Sequence, residues 1–139
     1  MFSSFEEDAG RDERPWVRHQ TRPQRAWPEP KRLTDILNIV ENSERPVIIG
    51  GHGIWWSHSE KSLAEVGEKL KIPIFNVPYH TKLLGEDCSA NMGLADFHQY
   101  HPSKMAIHEA DTVIMIGGRL DNQMNFGNPP FILKDTKLI

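Results

Sequence analysis

Two short stretches hold the residue types best suited to gripping a ligand: Gly50-Gly51-His52-Gly53 and Gly117-Gly118-Arg119-Leu120-Asp121. Each follows an apolar run, Val47-Ile48-Ile49 in the first case and Val113-Ile114-Met115-Ile116 in the second. Glycines lack a Cβ, so backbone N–H groups there can come close to a diphosphate. An arginine just past a strand can clamp phosphate, and a carboxylate beside it can accept ribose hydroxyls. Plainer readings stand beside these: a strand-to-helix turn for the first stretch, which the motif alone favours, and an Arg–Asp surface pair for the second. The dinucleotide fingerprint G-x-G-x-x-G is incomplete, because Gly51 and Gly53 fit but Trp56 stands where the third glycine belongs. The following strand ends in Asn76 and Val77, without the acidic residue that would take a ribose.

Other reactive side chains are less well placed. His98-x-x-His101, with Asp96 nearby, has the look of a metal pair, but zinc needs further ligands and a held geometry. No cysteine pair accompanies these histidines and Pro102 disturbs the helix that would align them, so they read as structural or surface residues. Cys88 lies in the polar stretch Glu86-Asp87-Cys88-Ser89-Ala90 with no base at a fixed offset, and reads as inert. Glu86, Asp87 and Asp96 form no defensible acid–base pair. No catalytic residue and no metal ligand is assigned.

The elements that must carry the glycine stretches are legible from residue 30 onward. Pro30 opens a helix in which Leu33, Ile36, Leu37 and Val40 follow the spacing of one buried face. Val47–Ile49 reads as a strand. Ser57 and Glu60 form an S-x-x-E capping box, predicting a helix that starts at Ser57 and points its positive end toward the glycine turn. Its buried face is Leu63, Val66, Gly67 and Leu70. Residues 72–77 read as a second strand with Pro73 near its start, and 78–100 resist assignment. Pro102 starts a helix reaching about Ala110, Thr112–Ile116 is the clearest strand, a loop follows, and Lys137-Leu138-Ile139 begins another apolar run.

Strands alternating with helices, each strand a near-continuous apolar run, predict an α/β fold with a doubly wound, mostly parallel sheet. Helices on both faces make it a nucleotide-binding-like three-layer sandwich, its last strands truncated at Ile139. With those strands missing, Val113, Ile114 and Met115 are expected to lie on an unpaired edge that promotes self-association. The two glycine turns then face one crevice, at the carboxyl ends of their strands.

Residues 1–29 differ in kind. Positions 11–30 hold four prolines and five arginines without a usable period, which reads as extended linker. Trp16 and Trp27 are large for a solvated tail, and Trp27 is expected to dock on the folded body. Over the whole chain the net charge is −3, so no basic field invites nucleic acid or an anionic membrane. No apolar run is long enough to span a bilayer, the acidic N-terminus is not a secretory signal, and a single cysteine fits a reducing cytoplasm.

In their order and spacing, 45-RPVIIGGHG-53, 71-KIPIFNVPYHTKLLGED-87, 93-GLADFHQYHP-102, 109-EADTVIMIGGRLDNQMNFGNPP-130 and 136-TKLI-139 resemble the central domain of thiamine diphosphate-dependent enzymes of the acetolactate synthase group. The resemblance covers residues 30–139 and implies an inter-domain linker before them. It also implies partner domains: a pyrimidine-binding domain that supplies the activating glutamate, and a diphosphate-binding domain whose Gly-Asp-Gly motif holds Mg²⁺ and thiamine diphosphate. This sequence contains no Gly-Asp-Gly, so as an isolated chain it is expected to be non-catalytic. The resemblance implies a homo-oligomeric parent with synthase or lyase chemistry on 2-oxo acids.

In relatives the central domain often holds FAD, ADP or a CoA moiety. Carried over position by position, that site matches Gly51, His52 and Gly53 in the first turn and Thr81 in 80-HTKLLG-85. It also matches His98, with Asp96 and Gln99 replacing two glycines and Phe97 a methionine, and then Gly117, Gly118, Arg119 and Asp121. The added side chains around His98 count against FAD more than against an adenine nucleotide. The alternative is a stand-alone adenine-nucleotide-binding module without catalysis.

Overall fold

The computed structural model describes residues 27–78, 83–96 and 101–139, the side chain of His101 excepted. In chain order the elements are α1 (Pro30–Glu41), β1 (Pro46–Gly50), α2 (His52–Ser57), α3 (Glu60–Leu70), β2 (Ile74–Asn76), β3 (Asn91–Leu94), α4 (His101–Glu109), β4 (Thr112–Ile116), a 3₁₀ segment (Asn122–Gly127) and β5 (Lys137–Leu138). All strand pairs are parallel, in the order β3-β2-β1-β4-β5. The chain therefore starts its sheet at β1, winds outward through β2 and β3, then crosses back to β4. Between β1 and β4 the winding reverses, which is where open α/β sheets place ligands.

Alternation along β1 explains why it reads as an unbroken apolar run. Val47 and Ile49 join Phe75, Ile107, Val113, Met124 and Phe131 in one core, whereas Ile48 joins Ile54, Leu63, Ile74, Leu83 and Ile114 in the other. Both faces of the sheet are thus covered, the first by α4 and the segment after β4, the second by α2 and α3. The α/β three-layer expectation holds. At Gly67 of α3 an added Cβ would lie 2.4 Å from Ile74 Cδ1 and 2.8 Å from Ala90 Cβ, so the missing side chain sets the helix close to the sheet.

Several sequence expectations fail for physical reasons. Trp27 does not dock: it is 87% exposed. Leu33, Ile36 and Leu37 of α1 are also exposed, and only Val40 of the expected face packs against the core. Periodicity identified the helix but not a partner for its apolar side. In α3, Leu63 and Gly67 are buried while Val66 and Leu70 are exposed. The capping box does not form. Ser57 ends α2, its hydroxyl donates to the Gly53 carbonyl at 2.7 Å, and α3 starts after Ser59 with no side-chain cap. The edge expected at Val113–Met115 is closed by the last residues: Ile139 N–H donates to Val113 O at 3.0 Å and Met115 N–H to Ile139 O at 2.7 Å. The exposed strand on that side is β5.

Asp111, just ahead of β4, ties the amino ends of the sheet together. Its carboxylate accepts from the backbone N–H of Glu44 at 2.7 Å and of Arg45 at 3.2 Å, and its carbonyl accepts from Lys137 N–H at 2.9 Å. Burial alone would raise its pKa, but the N–H groups of Glu44 and Arg45, with the Arg45 charge, outweigh that and hold it below the ordinary carboxylate value. A depressed folded pKa means stability that is present above the unfolded value and lost as pH falls through the folded one. Asp111→Asn should therefore lower the urea midpoint at pH 7, with the gap to wild type closing below about pH 4. A gap that does not begin to narrow as pH falls below about 4 would show that the charge is not its source.

Candidate functional site: a cleft between two glycine turns

The turns after β1 and β4 meet through their backbones. Gly51 N–H donates to Ile116 O and Gly53 N–H to Gly117 O, each at 2.8 Å. A Cβ on Gly51 would come within 2.3 Å of Gly118 Cα, and one on Gly53 within 2.7 Å of Gly117 Cα. Gly117 adopts φ +64°, a conformation that side chains disfavour, and its own Cβ would meet Gly53 Cα at 2.8 Å. These glycines let one turn lie on the other. Two of the amides that a diphosphate would seek, those of Gly51 and Gly53, are already spent inside the protein.

What remains open is a cleft of about 340 Å³ lined by His52, Gly117, Gly118 and Arg119. It sits at the reversal between β1 and β4. Its volume falls at the low end of small-molecule sites, about 300–1,000 Å³. Arg119 is exposed, and none of the described side chains forms an ion pair with it. A guanidinium without an ion-pair partner among the described residues, beside backbone stripped of side chains, suits an oxyanion. Asp121 is used differently from the ribose reading: its carboxylate caps the 3₁₀ segment, accepting from Gln123 N–H at 3.0 Å.

Of the candidate residues, the structure brings Gly51, His52, Gly53, Gly117, Gly118 and Arg119 together, with Asp121 turned to its cap. Thr81 and His98 lie outside the described residues. Asp96 is buried, and among the described residues no three His, Cys, Asp or Glu side chains gather as a metal site. A polar group that sequence reasoning passed over is Asn76, at the carboxyl end of β2 and in register with Gly50. It is fully buried, its Nδ2 donates to Asn91 Oδ1 at 3.3 Å, and among the described residues its Oδ1 accepts no hydrogen bond. A larger depression of about 570 Å³, around Arg45, His108 and Asp111, lies at the amino ends of the strands. Its carboxylate is already committed to the Glu44 and Arg45 amides, and ligands of such sheets sit at the opposite end.

A family model described as thiamine pyrophosphate enzyme, central domain, matches residues 33–139. The chain belongs to this family. Among relatives, 2-hydroxyacyl-CoA lyase 1 of Dictyostelium discoideum is 33% identical over 112 residues, covering 81% of this chain and 18% of the lyase. The acetolactate synthase large subunit of Lactococcus lactis is 30% identical over 106 residues, covering 76% of this chain and 18% of the synthase. A thiamine diphosphate-dependent 4-hydroxybenzoylformate decarboxylase of Rhodococcus jostii shares the fold, with a TM-score of 0.69 at 12% identity over 86% of this chain and 23% of that one. The chain thus spans about a fifth of the length of the curated relatives it matches. Among the described residues no helix is long and apolar enough to cross a membrane.

Proposed function

We propose that this central domain serves a thiamine diphosphate-dependent synthase or lyase acting on 2-oxo acids or 2-hydroxyacyl thioesters, and that its cleft holds the ADP part of a ligand. The supporting observation is the pair of interlocked glycine turns with Arg119 exposed at their edge. The described residues do not fit thiamine diphosphate or Mg²⁺: no acidic cluster is present among them, and the sequence has no Gly-Asp-Gly. The electron sink and its metal belong, on this proposal, to the pyrimidine- and diphosphate-binding domains. The exposed row Trp27, Leu33, Ile36 and Leu37 supports a domain that packs against such neighbours in an oligomer, with residues 1–29 leading into it.

The test is calorimetry on the 139-residue chain with ADP, FAD and CoA. ADP should bind, and Arg119→Ala should weaken it roughly 10-fold or more, the worth of a charge-assisted hydrogen bond. Unchanged affinity in Arg119→Ala, or no binding of ADP at millimolar concentration, would sink the cleft assignment.

A further inference from the structure

Among the helices, α1 has the least support from the rest of the fold. None of its 12 residues is buried. It meets the body near its C-terminal end, where Val40 packs against the core and Ser43, just beyond, shares a hydrogen bond with Thr112, Oγ to Oγ1 at 2.6 Å. Isolated helices of about 12 residues are marginal in water, so the rest of α1 needs cover. Leu33, Ile36 and Leu37 lie on one face at helical spacing, and all three are exposed. The charges of α1 also oppose its own dipole. Lys31 and Arg32 stand in the first turn, where there is no acidic residue, and Glu41 in the last, where there is no basic one. Anions are favoured at the positive N-terminal end of a helix and cations at its negative C-terminal end. Glu29, just before the helix, meets Arg32 at 3.8 Å, but both side chains are exposed and such a pair offsets little.

We propose that α1 is a self-association surface, pairing antiparallel with α1 of a second copy about a two-fold axis between Ile36 and Leu37. Leu33 of each copy then reaches the Val40 end of the other, and Ile36 meets Leu37 across the axis. One apolar face covers its own twin, as two-fold symmetry requires. The same arrangement sets Lys31 and Arg32 beside the C-terminal end of the second helix, which carries Glu41, at the spacing of about 8–10 Å between packed helix axes. A parallel pair would instead bring like ends together and double the conflict. The contact is small. Even with all of Trp27, about 150–250 Å², three half-exposed aliphatic side chains leave it below the roughly 800 Å² per partner of a standard interface. Dimerisation should therefore be weak, with a Kd on the order of micromolar. The inference rests on the oligomeric part of the reading above and not on any ligand of the cleft.

Sedimentation of the 139-residue chain from about 1 to 500 µM should show a monomer–dimer equilibrium, and the α1 amides should gain hydrogen-exchange protection as the dimer fills. Leu37→Glu should stay monomeric over that range, because it sets two carboxylates beside the axis. Leu37 is exposed, so an unchanged unfolding midpoint at low concentration shows that the variant still folds. Cysteines placed in a Cys88→Ala background read the orientation. Leu37→Cys should form an intermolecular disulfide on oxidation. Leu33→Cys should not, because antiparallel packing sets its two copies about 10 Å apart along the axis. Crosslinking of Leu33→Cys as readily as Leu37→Cys would mean a parallel pair and overturn the proposal. So would a dimer that survives Leu37→Glu, which must use another surface, or a monomer throughout, which leaves the face to a neighbouring domain. ADP affinity is measured separately, so a chain that dimerises without binding ADP would fell the cleft reading alone.

Discussion

Gly51→Ala will move the urea midpoint of unfolding far below that of wild type. The new Cβ would sit 2.3 Å from Gly118 Cα and 2.6 Å from both Gly117 O and Gly118 N, all backbone atoms of the facing turn. No rotamer change can relieve an overlap with backbone, so β1 and β4 must separate at their carboxyl ends. That breaks the Gly51–Ile116 and Gly53–Gly117 hydrogen bonds as well. Overpacking and two lost backbone hydrogen bonds together cost about 3–5 kcal/mol, a large share of a typical domain stability of about 5–15 kcal/mol. Gly50→Ala is the control. There the nearest atoms are the Leu63 and Leu83 methyl groups at 3.2 and 3.3 Å, which can move, so the cost should stay near 1 kcal/mol. Urea unfolding followed by circular dichroism gives both numbers. The pair also separates two explanations of the glycines. If Gly51 serves only ligand approach, Gly51→Ala keeps its midpoint and loses ADP affinity; if it serves turn packing, stability goes first.

That distinction marks where sequence reading reached its limit. Val47–Ile49 and Thr112–Ile116 were legible as strands because a sheet buried on both faces demands unbroken apolar runs. The convergence of the two glycine turns followed from the parallel sheet, which puts the carboxyl ends of its strands on one side. The purpose of the glycines did not, since ligand approach and backbone-on-backbone packing need the same residue. Ser57 illustrates a second limit: S-x-x-E spacing fits a capping box, yet the hydroxyl found the Gly53 carbonyl one turn back and ended a helix instead of starting one. β3 went unseen because Asn91 and Gly93 are poor strand formers. Asn91 holds its place by accepting from Gly93 N–H and donating to the Leu84 and Gly85 carbonyls, contacts that no periodicity records. Trp27 and the α1 face failed because amphipathicity shows which side seeks cover, not what covers it.

The segment after β4 carries Arg119 and fixes where its guanidinium stands. Between β4 and β5 the backbone is anchored by Met124 and Phe131, both fully buried beside Ile107 and Val113. Phe131→Ala should lower unfolding stability by about 3–5 kcal/mol, the cost of emptying a large aromatic from a closed core. Phe131→Leu, which keeps most of the volume, should cost about 1–2 kcal/mol. The damage should spread locally before it spreads globally. Asp121 accepts from Gln123 N–H through its side chain and from Met124 and Phe126 N–H through its carbonyl, so those amides should lose hydrogen-exchange protection ahead of β1. Arg119 lies two residues before that hub, and losing the anchor should weaken ADP in the fraction that stays folded. Unchanged exchange at Gln123, Met124 and Phe126 in Phe131→Ala would mean that the turn bearing Arg119 is held by its contact with Gly51 and Gly53 alone, which places the whole geometry of the cleft on the β1–β4 backbone interlock.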